Sequence, residues 1–145
     1  MKESMLVQPS EAALPFLGVW RLTKVESSHP FLPHPVSGLV ILTQEDHGIH
    51  YTNDATWSDG RNAQVSIVFR IDGEWHPAVG SLISDSVCGH LRSDGTLVVQ
   101  MRKGGSDSGM LRATVSPDMN KLLSHWEVIY PGGIVVTWDA TSERQ

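Results

Sequence analysis

At 145 residues the chain has room for one domain, and a hydrophobic share of 40% suffices for one packed core, which excludes wholesale disorder. Lys and Arg number 11 against 16 Asp and Glu, a net charge of −5, so neither a nucleic-acid partner nor an anionic membrane surface is expected. Cys88 stands alone, which excludes an intrachain disulfide and predicts a small core residue. The start, Met1 to Pro9, lacks the roughly 7–15-residue apolar stretch of a secretory signal. Apolar runs such as Leu39-Val40-Ile41-Leu42 fall far short of the roughly 20 residues that span a bilayer. A soluble protein of the reducing cytoplasm is therefore expected.

In chain order, residues 1–15 read as an N-terminal extension whose only helical feature is one turn over Ser10-Glu11-Ala12-Ala13-Leu14, with Ser10 as its cap. Strands are predicted at about 17–27, 38–44, 48–54, 63–72, 74–82, 86–92, 96–103, 109–116, 121–130 and 134–143. Val65, Ile67, Phe69 and Ile71 alternate with Gln64, Ser66, Val68 and Arg70, and Leu111, Ala113 and Val115 alternate with Met110, Arg112 and Thr114. Turn chemistry separates the strands: Ser58-Asp59-Gly60, Asp72-Gly73, Ser93-Asp94-Gly95, Gly104-Gly105, Ser116-Pro117-Asp118-Met119-Asn120 and Pro131-Gly132-Gly133. The prolines Pro30, Pro33 and Pro35 forbid regular helix between the first two strands, so an extended loop is expected there. Short strands joined mostly by hairpins predict an all-β fold over 1–145, a closed antiparallel up-and-down barrel of about ten strands, since closure removes the exposed edges.

Gly18-Val19-Trp20 opens the first strand and Arg144 ends the last. This pairing resembles the calycin superfamily: lipocalins, fatty-acid-binding proteins and their bacterial lipocalin-like relatives. The resemblance implies that Gly18, Trp20 and Arg144 close one barrel end, the indole lying across it and the guanidinium stacked on its face. Where fatty-acid-binding proteins carry a helix-turn-helix lid, this chain has its proline-rich stretch, more like a lipocalin's mouth loop. The resemblance further implies that the barrel encloses a small apolar or amphipathic molecule.

Trp138 shares its strand face with Ile134, Val136 and Ala140, and Trp126 shares one with Leu122, Val128 and Tyr130, so both are expected to point inward. Apolar walls from Val65, Ile67, Phe69, Ile71, Met101 and Trp138, with orienting groups from Tyr51, His76, His90 and Ser124, complete the expected site. The expected ligand-binding residues are thus Tyr51, Phe69, His76, His90, Met101, Ser124, Trp126 and Trp138. Trp57, in the loop-like stretch 54–62, and Trp75 fit either a rim contact or a plug. The seven histidines form no His-x-His or His-Glu-x-x-His motif, so no metal and no cofactor is expected. Nitrobindins, haem-binding barrels, also open on Gly-x-Trp and use a late histidine, for which His125 is the only candidate. No Gly-x-Ser-x-Gly elbow or phosphate loop is present and no catalytic residue is assigned, although Glu26, Glu127 or Asp139 would qualify if turned inward. The expected function is non-enzymatic binding of a small hydrophobic or aromatic ligand inside the barrel. The alternatives are a barrel isomerase or lyase using a buried His or carboxylate, and a filled barrel that works through its surface, as a homodimer for example.

Overall fold

The computed structural model describes residues 14–46, 48–78 and 84–145, so most of the expected turn at 10–14 lies outside the described residues. A 3-10 turn, Leu14–Phe16, leads into β1 (Gly18–Ser27), β2 (Pro35–Glu45), β3 (Gly48–Trp57), β4 (Asn62–Phe69) and β5 (Trp75–Pro77). The chain continues through β6 (Ser86–Leu91), β7 (Leu97–Lys103), β8 (Ser106–Val115), β9 (Lys121–Tyr130) and β10 (Ile134–Arg144). The strands form one antiparallel sheet in the order β4-β3-β2-β1-β10-β9-β8-β7-β6-β5. First and last strands pair, from Trp20 with Arg144 to Ser27 with Trp138, and the sheet curls into a nearly closed barrel.

The seam lies between β4 and β5, the two ends of the sheet. There the chain just after β4 approaches β6 closely, and Gly73 N–H donates to Gly89 O at 2.9 Å. A Cβ on Gly89 would stand 2.7 Å from Arg70 O, so this approach requires a residue without a side chain.

Inward and outward residues alternate as strand geometry demands. A bulge between Leu22 and Lys24 inserts one residue into β1 and flips its parity, so Trp20 and Leu22 face inward and then Val25 does. The interior divides into two clusters. One is built around Trp20, Leu42, Ile49, Phe69, Leu97, Val99, Met101 and Leu122. The other gathers Val128, Val136 and Trp138 at the opposite end of the strands.

Several boundaries differ from those read off the sequence. β3 runs on to Trp57, which is therefore a strand residue. β8 begins at Ser106, leaving Gly104 and Gly105 as a two-residue turn. The strand expected at 74–82 is described only over Trp75–Pro77, and residues 79–83 lie outside the described part.

Candidate functional site

The barrel end near the start of β1 is sealed. Trp20 is fully buried, and its indole Nε1–H donates to Phe16 O at 3.0 Å. The Arg144 guanidinium lies 4.2 Å from the centre of the Trp20 ring. Its three nitrogens each reach a different carbonyl: Nη1 that of Leu17 at 2.8 Å, Nη2 that of Pro15 at 2.9 Å and Nε that of Met119 at 2.7 Å. One side chain thereby ties the 3-10 turn, the entry to β1 and the β8–β9 turn together. Gly18 sits at φ 138°, and a Cβ there would come within 2.6 Å of Arg144 Nη1, so both backbone and packing call for glycine.

An aromatic group fills the opposite end. Trp138 stacks on Trp126 with ring centres 6.1 Å apart, and Trp57 meets it edge-on at 5.9 Å. Leu32, from the β1–β2 loop, and Tyr130 pack against the same cluster. The loop is pinned on both sides. Tyr130 donates its hydroxyl hydrogen to Pro33 O, and Ser58 N–H donates to His34 O at 2.8 Å.

Between these two ends lies a cavity of about 80 Å³. Phe16 reaches it from the sealed end, and Trp126 links it to the aromatic cluster. Its walls come from Leu22 of β1, Pro35, Gly38, Val40 and Leu42 of β2, Ala55 of β3 and Phe69 of β4. Across the lumen stand Leu97 of β7, Leu111 and Ala113 of β8, Leu122 of β9 and Ala140 of β10. Among the described residues, the polar groups in the lining are Tyr51, Asn53, Ser124 and Ser142, and none of the lining residues is charged. Asn53 Nδ2–H donates to the Tyr51 oxygen at 3.0 Å. Tyr51 keeps some accessible surface in the cavity wall, yet it lies deep in the protein, and this burial pushes its phenol up to about 12 against the opposing hydrogen bond from Asn53. Ser124 and Ser142 are diagonal neighbours on β9 and β10, and among the described residues neither hydroxyl has a hydrogen-bond partner.

Of the residues expected to bind a ligand, Tyr51, Phe69, Ser124 and Trp126 come together in this lining, and His76, His90, Met101 and Trp138 lie outside it. His76 is on the edge strand and turns its Nε2 to Asp72 Oδ2 at 2.8 Å. His90 pairs with Val98 on the face opposite Val87 and Leu91, which pack into the core. Met101 is buried in the core, and Trp138 belongs to the aromatic end. Val65, Ile67 and Ile71 likewise stay outside the lining. Trp75 lies under the Arg102 guanidinium at 4.0 Å.

His125, the candidate for a haem-type role, sits on the outer face. Its Nδ1 faces Asp139 Oδ1 at 2.8 Å and its Nε2 faces Glu127 Oε2 at 3.3 Å. Glu26 and Asp139 are exposed, so the carboxylates weighed as inward acids stand outside the lumen. The lining residues not named in the expected site include Asn53, Ala113 and Ser142, and also Ala140, which the sequence places on the inward face with Trp138. Asn53 shares its parity with Tyr51, and Ala140 and Ser142 share theirs with Trp138. That shared parity was the available signal.

No protein-family model matches the chain, and no curated protein does. Solved structures do. The chain is similar to zebrafish ileal bile acid-binding protein complexed with cholic acid, with 15% identity, a TM-score of 0.60 and coverage of 90% of this chain and 99% of that one. It is also similar to the S-type phycobiliprotein lyase CPES of Guillardia theta, with 14% identity, a TM-score of 0.63 and coverage of 94% and 92%. A third likeness is to a fluorescence-activating β-barrel designed de novo, with 15% identity, a TM-score of 0.52 and coverage of 92% and 97%. At such identities the likeness speaks to fold alone, and the fold is a nearly closed, lipocalin-like antiparallel β-barrel.

Proposed function

We propose that this protein binds a small hydrophobic molecule in its lumen, without covalent chemistry. The observation that carries the reading is the apolar cavity between Phe16 and Trp126, whose lining, among the described residues, holds four neutral polar side chains and no charged one. Apolar walls supply a driving force of roughly 25 cal/mol per Å² of apolar surface removed from water, and a few polar groups fix orientation. The fold shared with a bile acid-binding protein supports the lumen as the place where a guest sits.

The size of the cavity narrows the class. At about 80 Å³ it is smaller than the ~150 Å³ apolar hole that accepts benzene in an engineered protein. A chain of about three or four carbons fits it as it stands, and a longer chain or a rigid multi-ring guest requires the Trp57–Trp126–Trp138 end to move. Among the described residues no His, Asp or Glu lines the cavity, and the titratable group in its wall, Tyr51, is kept protonated by burial.

Native mass spectrometry of freshly purified protein tests the reading, together with Trp emission during titration with short-chain hydrocarbons. A co-purifying small molecule, or a saturable change in the emission of Trp126, is the expected result. A bare mass and unchanged emission across the series would contradict it.

A further inference from the structure

We infer that the guest is an uncharged molecule carrying a carbonyl-type acceptor, held by a hydrogen bond from the Tyr51 hydroxyl. This deepens the lumenal-binding reading and rests on it.

The argument is one of hydrogen-bond inventory. A phenol has one hydrogen to donate and an oxygen that accepts. The Tyr51 oxygen already accepts from Asn53 Nδ2 at 3.0 Å, which fixes the phenol's orientation in the wall. Its own hydrogen has no acceptor among the described residues, and the residue lines the lumen. A buried donor without a partner costs stability, and a guest that accepts its hydrogen bond recovers that cost. The phenol also stays protonated at neutral pH, since burial pushes it up to about 12, so it meets a guest as a donor.

Charge completes the assignment. A carboxylate or an ammonium moved into this lumen loses its hydration and meets no opposite charge, a loss that neutral hydrogen bonds do not repay. On β9 and β10, separated from β3 in the sheet by β2 and β1, Ser124 and Ser142 offer hydroxyls only. The site therefore discriminates between guests of one carbon skeleton by their head group: ketone, ester or aldehyde above hydrocarbon, and hydrocarbon above carboxylate.

Calorimetric titration of the full chain at pH 7.5 with 2-hexanone, n-hexane and hexanoate tests this. The expected ranking puts 2-hexanone about tenfold tighter than n-hexane, the worth of one well-placed hydrogen bond, and hexanoate last. Tyr51→Phe is expected to bring the ketone's affinity down towards the hydrocarbon's, so that the preference between them disappears. The ranking on the unmodified protein decides the matter on its own should that variant fail to fold. Equal affinities for ketone and hydrocarbon, or hexanoate binding tightest, would overturn the inference while leaving lumenal binding standing. Failure of all three to bind would overturn both.

Discussion

Trp20 and Arg144 show how much one residue can hold. The indole is fully buried, and the guanidinium above it satisfies three carbonyls from two segments far apart in the chain, Pro15 and Leu17 in one and Met119 in the other. Trp20→Ala is therefore expected to cost about 3–5 kcal/mol, as large aromatic truncations in cores do, read as a fall in the urea midpoint. This pair was legible in the sequence because its chemistry is unusual: a Gly-x-Trp at the head of the first strand and an Arg at the foot of the last. Phe69 is legible as an inward residue from its alternation, whereas Tyr51, His76, His90 and Ser124 are read as orienting groups by type, and of these Tyr51 and Ser124 reach the lining. A histidine looks the same in sequence whether it turns to Asp72 or to a cavity. Tyr51 also gives a pH prediction. Its phenol titrates higher in the folded state than in the unfolded one, so the folded state holds the proton more tightly. The stability it contributes is complete below about pH 10 and is lost between about pH 10 and 12, by roughly 2–3 kcal/mol in all. Burial raises the Tyr130 phenol too, so the loss in the unmodified protein should exceed that in Tyr51→Phe, with the difference isolating Tyr51. Parallel curves above pH 10 would contradict the assignment.

Among the elements, the strands and their turns were the most readable part, because Asp-Gly, Gly-Gly and Pro-containing turns punctuate alternating segments. Parity was harder. The bulge between Leu22 and Lys24 switches the inward face of β1 midway, and nothing in Leu22-Thr23-Lys24 announces it. The full extent of β3 is hidden in the sequence for a related reason. Trp57 continues the ladder because the β3–β4 turn closes immediately after it, Trp57 N–H donating to Arg61 O at 2.8 Å. The seam is the element-scale feature with the clearest test. Gly89→Ala would push a methyl against Arg70 O and the Phe69 ring, which lie 2.7 and 3.3 Å from the ideal Cβ position. It should cost about 1–3 kcal/mol and speed hydrogen exchange at the Gly73 amide, whose bond to Gly89 O spans the gap. An unchanged urea midpoint would mean that the seam is slack.

At the scale of the whole molecule, a nearly closed sheet with two differently built ends surrounds a small, partly open lumen with no charged residue among the described lining. The sealed end is rigid by construction, with Arg144 bonded to three carbonyls. The aromatic end is assembled from a strand end, a proline loop and two neighbouring strands, with the loop held by Tyr130 and Ser58. Filling the lumen separates binding from folding. Ala113→Leu places extra methyl groups in the cavity; at ~24 cal/mol per Å³ the about 80 Å³ available corresponds to about 2 kcal/mol at most, so stability should hold or rise while guest binding is lost. A stable variant that still binds 2-hexanone would move the site elsewhere. The most direct measurement is an NMR spectrum of the protein saturated with 2-hexanone, read for intermolecular NOEs. The account predicts contacts from the guest to Tyr51, Ala113, Leu122 and Ala140. Contacts confined to the exposed Ile129 and Val135 on the outer face of the barrel, or none at all, would contradict it.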